Sequence, residues 1–402
     1  MRAMRIALIP SSFAPAVGGV EVLTARLAHH LAARGHTVEV WTSRSKGDSL
    51  PPHEIVEETR VRRFVFTLPH ASPRSVLEFP VAAAATLRRL RAAAREFKPD
   101  VLHVQCFSGN GAYATVVSRQ AGIPLVVSLQ GETVMDDHDI YDHSVVLRTC
   151  LRAGLRQATA VTGCSAFTLK DAQARFRLDT RKAEVVYNGV DLEGNEAVPV
   201  ELPFARYVLG LGRVVRKKGF DLLLDAFSRV AEAHPDVGLV IAGEGSEREP
   251  LLRRATELGL SERLHMPGRM SQAEVASVMQ GAAAFVMPSR VEPFGIVVLE
   301  AWRAGVPVVV TSRGGPPEFV THGVSGLVVD PSDPAALASA LSSLLASPAL
   351  RKQLALAGQG QLAGFGWPRI TQRYEALYSR LAVRRPSLRD DVRESSAAAK
   401  GR

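Results

Sequence analysis

AAAFVMPSRVEPFGIVVLEAWRAGVPVVVTSRGG, residues 282–315, contains two short apolar runs, at 282–289 and 306–312, that read as buried strands. IVVLEAWRAG (296–305) reads as a helix between them, entered through the loop RVEPFG (290–295). Strand, loop, helix and strand at this spacing predict a parallel sheet. The same alternation extends outward. RYVLGLGR (206–213), VGLVIAGEG (237–245) and SGLVVD (325–330) read as strands, GFDLLLDAFSRVAEAHP (219–235) as a helix, and further helices follow from about Pro334.

The first half repeats the style. MRIALIPSSF (4–13) reads as a strand running into a turn, GGVEVLTARLAHHLAARGH (18–36) as a helix with Gly35 at its stop, and TVEVWTS (37–43) as the next strand. DVLHVQ (100–105), PLVVSLQ (124–130), AVTGCS (160–165) and AEVVYNG (183–189) continue the series. EAVPVELP (196–203) has prolines and no clear period, and reads as a linker. The expected fold class is therefore α/β: two Rossmann-like, doubly wound domains, at 1–196 and 204–367. The charged, small-residue stretch at 383–402 reads as a disordered tail.

The 402 residues are 46% hydrophobic and 22% charged, an ordinary globular balance. The formal charge of +9 favours anionic partners such as phosphorylated ligands or acidic lipid surfaces. No aromatic platform accompanies the basic residues, so nucleic acid is not an expected partner. Three cysteines without a CxxC argue against a disulfide framework or a zinc site and for a reducing compartment. The opening apolar run is too short for a signal peptide, and no charge-free run reaches the roughly 18 apolar residues of a membrane span. A cytoplasmic protein is expected.

In an open α/β sheet, ligands bind beyond the carboxyl ends of the strands, and with two such sheets the cleft between them is the default site. The chemistry-bearing motifs follow strands. In VEPFGIVVLE, free N–H groups at a helix start attract phosphate oxygens, and Gly295 lets a ligand approach the backbone. Glu292 in the loop and Glu300 just over one turn into the helix are acceptors for hydroxyls. A carboxylate has two oxygens and suits a vicinal diol. The spacing fits an elongated ligand with a sugar at one end, a diphosphate in the middle and a ribose at the other. An exposed loop glutamate plus a solvated helix glutamate is the plainer alternative.

In GLGRVVRKKGFD (210–221), Arg213 and Lys218 flank a turn and suit a diphosphate. Arg216 and Lys217 read as solvated charges. Val215 stands where a dinucleotide fingerprint needs its third glycine. Gly18 and Gly19 end a loop before the first helix, fitting a phosphate approach or a plain turn equally. TSRGGPPE (311–318) is another glycine loop, ending in Glu318.

EPFGIVVLE resembles the E-x7-E motif of the retaining glycosyltransferases of family 4, which have the GT-B fold, and GRVVRKKG resembles their phosphate loop. VYNGVD (186–191), AGEG (242–245), PGRM (267–270), GGVE and YEALY (374–378) fall in the family's order, so the likeness spans residues 4 to about 381. The resemblance implies that Arg213 and Lys218 bind a donor diphosphate, with Gly18 and Gly19 bringing a helix N-terminus to the leaving phosphate. It implies that Glu300 holds the donor ribose and Glu292 the sugar hydroxyls. Phe294, Gly295, Ile296 and Val297 would cap sugar and phosphates, and Gly268, Arg269 and Met270 would lie near the base. It further implies a C-terminal helix at about 368–382 that packs back on the first domain, a nucleotide-diphosphate sugar donor (UDP- or GDP-linked), an acceptor hydroxyl of a glycan, lipid-linked or small acceptor, and no cofactor or metal.

One departure stands out. Where many relatives carry a histidine near the reacting sugar, VVSLQGE has Gln130, which can donate and accept hydrogen bonds but cannot carry a proton. Gln130 is thus read as positioning the sugar. It also keeps open a non-catalytic sugar-nucleotide-binding partner protein, beside a sugar-nucleotide epimerase on the same fold. The next segment, MDDHDIYDH (135–143), offers Asp136, Asp137, His138 and Asp139 as an acceptor-facing loop, with metal binding or plain solvation as alternatives. His103 reads as a buried, hydrogen-bonded histidine. LRRLRAAAREFK (87–98) reads as a solvated helix face or as a basic face resting on an anionic membrane.

Overall fold

The computed structural model of the chain describes residues 2–16, 18–45, 47–69, 72–136, 139–193 and 197–383. Asp137, His138 and the stretch from 384 onward, read above as part of an acceptor loop and as a tail, lie outside these described residues.

Two sheets form. In the first half the strands are β1 (Arg5–Pro10), β2 (Thr37–Ser43), β3 (His53–Val56), β4 (Thr59–Phe64), β5 (Val101–Gln105), β6 (Leu125–Leu129), β7 (Ala160–Gly163) and β8 (Ala183–Val185). In the second half they are β9 (Arg206–Leu211), β10 (Val237–Ala242), β11 (Leu264–Gly268), β12 (Ala284–Met287), β13 (Val308–Thr311) and β14 (Leu327–Val329). The spatial orders are β3-β4-β2-β1-β5-β6-β7-β8 and β11-β10-β9-β12-β13-β14. Neighbours run parallel except β3 against β4.

Both sheets are covered on two faces, as the apolar runs require. Ile6 and Leu8 of β1 pack with the Gly19–Ala33 and Trp367–Val383 helices, while Ala7 and Ile9 turn to the opposite core with Trp41 and Phe107. In the second half Val208 and Ile241 face one core, Leu209 and Val240 the other. Two-residue alternation between two cores is strand geometry with both faces buried.

The hairpin β3–β4 was not legible in the sequence. TRVRRF carries three arginines, yet Arg62 and Arg63 are buried. Arg62 reaches Glu39 at 2.8 Å and Glu96 at 2.8 Å, and Arg63 pairs with Glu54. Partners from β2, β3 and a helix offset the desolvation that isolated buried guanidinium groups would suffer.

The order reverses between β1 and β5 in one sheet and between β9 and β12 in the other. Such switch points leave crevices at the carboxyl ends of the strands. The segment after β6 meets the loops after β9 and β12. The C-terminal helix lies on the first sheet, where Tyr378 bonds buried His103 at 2.6 Å.

Candidate active site

The loop after β12 sets the glutamates. Gly295 caps the Ile296–Arg303 helix at φ +88°, and a Cβ there would come within 2.7 Å of Met287 Cε. A left-handed residue under a methionine leaves room only for glycine. Glu292 is buried and held by its backbone: its N–H donates to Arg313 O (3.0 Å) and its carbonyl accepts from Gly315 N–H (2.8 Å). Its Oε2 accepts from Lys218 Nζ at 2.7 Å and Ser289 Oγ at 2.9 Å.

The loop after β9 brings Lys218. Gly219, at φ +69°, is pressed against Pro288 O, where any side chain would overlap the backbone. Arg290 then ties the two loops, donating N–H to Lys217 O (2.9 Å) and forking onto Asp221 at 2.8 and 2.7 Å. Lys218 and Glu292 therefore form one fixed ion pair.

The first half meets this wall through Gln130. Gly131 stands at φ +93° and touches Pro293, so the Gln130 loop and the Glu292 loop are in van der Waals contact across the cleft. Gln130 Nε2 donates to Gln105 Oε1 at 3.1 Å, while its Oε1 is buried with no partner. Glu132 accepts backbone N–H bonds from Phe107 and Gln130, each 2.7 Å, and burial pushes its carboxyl up to about 7. Sequence reading passed over Glu132, although QGE placed it two residues from Gln130.

A cavity of about 360 Å³ opens between the two halves, lined by Gly18, Gly19, Arg26, Met270, Ile296 and Glu300 among others; Arg213, Lys218, Glu292 and Gln130 do not line it. Burial raises the Glu300 carboxyl, opposed by Arg303 and reinforced by Asp191. Arg26 Nε reaches Asp191 Oδ2 at 3.0 Å along the same wall. Gly268 holds φ +85° at a turn over Glu244, and Arg269 is exposed. Val297 is half-buried beside Ile296. Phe294 is buried in an aromatic cluster with Tyr187, Phe319 and Phe365, so it supports the loop from behind and its ring does not line this cavity.

One charged group behaves differently from its reading as solvated. Lys217 crosses to the first half, donating to Val134 O (2.9 Å), Asp136 O and Asp139 Oδ1 (2.6 Å). This hydrogen bond holds the Asp139 carboxyl below its usual range. Arg213 donates to Met135 O at 3.0 Å in the same segment. The three carbonyls end the short Glu132–Met135 helix, where cations are favoured. Glu318 caps the Ala166–Phe176 helix of the first half, accepting from Ala166 N–H and Phe167 N–H at 2.8 Å each. No spacing along the chain announces these cross-cleft bonds. Arg216, by contrast, pairs with Asp221 at 3.0 Å on the surface. Among the described residues no group of three His, Cys, Asp or Glu side chains is placed to hold a metal.

Comparison with known proteins matches both halves of the chain. The family model described as glycosyl transferases group 1 matches residues 202–361, and that described as glycosyltransferase family 4 matches residues 17–193. The chain is 30% identical over 391 residues to the D-inositol 3-phosphate glycosyltransferase of Frankia alni, spanning 87% of this chain and 91% of that one. Among solved structures, sucrose-phosphate synthase from Thermosynechococcus elongatus superposes with a TM-score of 0.78 at 23% identity, over 94% and 99% of the two chains. Anabaena HepE in complex with UDP-glucose does so with a TM-score of 0.72 at 22% identity, over 94% and 100%. With two doubly wound domains arranged as in GT-B enzymes and these matches along both halves, the chain is a glycosyltransferase and belongs to glycosyltransferase family 4.

Proposed function

We propose that the enzyme transfers a sugar from a nucleoside diphosphate to an acceptor hydroxyl with retention at the anomeric carbon. The second domain takes the donor and the first faces the acceptor. The observation that carries this reading is the Lys218–Glu292 pair, with Glu292 buried, in the loop that leads into the Ile296–Arg303 helix, whose Ile296 and Glu300 line the cavity. A diphosphate at the Gly18–Gly19 and Gly295–Ile296 backbone draws on Lys218 and Arg213. Glu300 accepts from ribose hydroxyls and Glu292 from sugar hydroxyls, while Gly268, Arg269 and Met270 border the base. HepE, a neighbour in fold, was solved with UDP and with UDP-glucose, which supports a UDP-sugar as the first donor to try.

In the reaction the bond from the anomeric carbon to the β-phosphate oxygen breaks, and its electron pair stays on the diphosphate. The acceptor oxygen bonds to the same face of that carbon, and its proton passes to the departing phosphate oxygen. Lys218, Arg213 and the helix N-termini are fixed before charge develops, so stabilising it costs little reorganisation. Gln130, its amide nitrogen committed to Gln105, turns its carbonyl oxygen to a ligand hydroxyl. Closing the cleft over the sugar excludes water and limits donor hydrolysis.

Titration with UDP, GDP and their sugars tests the assignment. Arg213→Ala and Lys218→Met each weaken nucleoside diphosphate binding roughly tenfold or more, in the range of charge-assisted hydrogen bonds. Unchanged affinity in both removes the phosphate site from this loop. Turnover that requires an added acceptor separates transfer from epimerisation, and tight donor binding without any turnover marks a non-catalytic binder.

A further inference from the structure

The Pro73–Phe97 helix carries an outer face that the reaction does not use. At about 100° per residue, Arg74, Leu77, Val81, Arg88, Arg91 and Arg95 fall within one arc of about 100°. Glu78 and Glu96, the helix's acids, lie at the border of that arc. Leu77 and Val81 are 78% and 76% exposed, and Val76 beside them is 57% exposed. Arg74 is paired with Glu78 and Arg91 bonds Gln120, whereas Arg88, Arg89 and Arg95 have no carboxylate partner among the described residues. Between this helix and the segment after β4 opens a hollow of about 780 Å³, walled by Phe64, Leu68, Leu77, Val81 and Ala85, with Glu78, which pairs with Arg74, and Arg89 also on its lining. Its inner wall is fixed: Phe66 stacks on Phe64, and Tyr113 Oη donates to Thr67 O at 2.8 Å.

A solvated helix face accounts for the arginines but not for two large aliphatic side chains on the same arc over an apolar hollow. A protein partner accounts for the aliphatics but leaves Arg88 and Arg95 without a counterpart. Apolar side chains beside unpaired arginines match the two layers of an anionic lipid surface. We propose that this face seats the enzyme on an anionic bilayer, with Leu77 and Val81 below the headgroups, a lipid tail in the hollow and the arginine row on the phosphates. The helix follows β4, next to the sheet's outermost strand β3. Combined with the transferase reading above, this seating makes the acceptor a molecule carried in that membrane.

The test is co-sedimentation of the full chain with vesicles of phosphatidylcholine alone and with a third of the lipid as phosphatidylglycerol. Wild type binds the anionic vesicles at least tenfold more tightly, and added salt weakens the binding. Arg88→Glu/Arg95→Glu and Leu77→Asp/Val81→Asp each lose about tenfold, while the exposed control Arg254→Glu does not. All of these residues are exposed, so matched thermal melts confirm folding, and UDP-sugar binding by each variant reports on the donor site separately. Equal binding to both vesicle types, or wild-type binding by either double variant, overturns the proposal. So does self-association that Leu77→Asp/Val81→Asp abolishes without any vesicle binding, which would assign the face to a second copy.

Discussion

The two walls of the cleft are built differently. In the second domain the loops after β9 and β12 fix one another: Gly219 lies on Pro288, Arg290 forks onto Asp221, and Lys218 binds Glu292. In the first domain the segment after Gln130 leans on its neighbour. Its carbonyls and Asp139 are held by Lys217 and Arg213, and Gly131 rests on Pro293. One wall stands preformed, and the other takes its shape from the first. A donor site of preorganised charge needs the former. On the proposed assignment, a segment that meets the acceptor gains from the latter, because cross-domain bonds can be exchanged as the cleft opens.

Four changes sharpen or break this contrast. Glu292→Gln strikes the preformed wall. Turnover falls roughly 100-fold or more, while nucleotide affinity stays within about threefold, because a neutral amide keeps the shape but loses the charge partner of Lys218. Steady-state kinetics beside calorimetric titration decide it, and unchanged turnover would take the residue out of the chemistry. Gly131→Val forces a branched side chain into left-handed backbone, about 1–2 kcal/mol by itself, and onto Pro293. Melting temperature and acceptor-dependent turnover both drop. A variant with native values shows that the two loops do not need their contact.

The third concerns the polar core behind Gln130. His103 is held neutral by burial, its titration lowered to about 3, so it gains no proton in the folded state above that pH. The unfolded chain does take up a proton below about 6.5, so stability declines as pH falls from about 6.5 toward 3. The urea midpoint of wild type drops between pH 7 and pH 5 by more than that of His103→Asn; equal drops would place the acid sensitivity elsewhere. The smallest effect is at Lys217. Lys217→Met releases the Val134–Asp139 segment and raises the acceptor KM roughly three- to fivefold, the scale of partly exposed ion pairs, with donor affinity preserved. Loss of donor affinity instead would make Lys217 a phosphate ligand.

Much of this molecule was legible residue by residue. The strands buried on both faces announced themselves as unbroken apolar runs, and Gly295 marked the start of the Ile296–Arg303 helix. What escaped was stabilised by partners distant in the chain. β4 reads as polar because its arginines are matched by Glu39, Glu54 and Glu96. Lys217 reads as solvated because Val134 and Asp139 lie some eighty residues away, and the cap formed by Glu318 is not legible because the helix it caps belongs to the other half. Phe294 sits in the site motif, yet its ring is packed in an aromatic core.

The sequence by itself determined the parallel strands at the heart of both sheets, the loops that follow them and the carboxylates and cations those loops carry. Burial on both faces of a strand and the backbone freedom of glycine are local requirements, and local spacing records them. The tertiary structure alone decided which loops touch across the cleft, which cation faces Glu292 and which holds the opposite wall. Those choices arise when two domains approach, and the energy of that approach is written in no single stretch of chain.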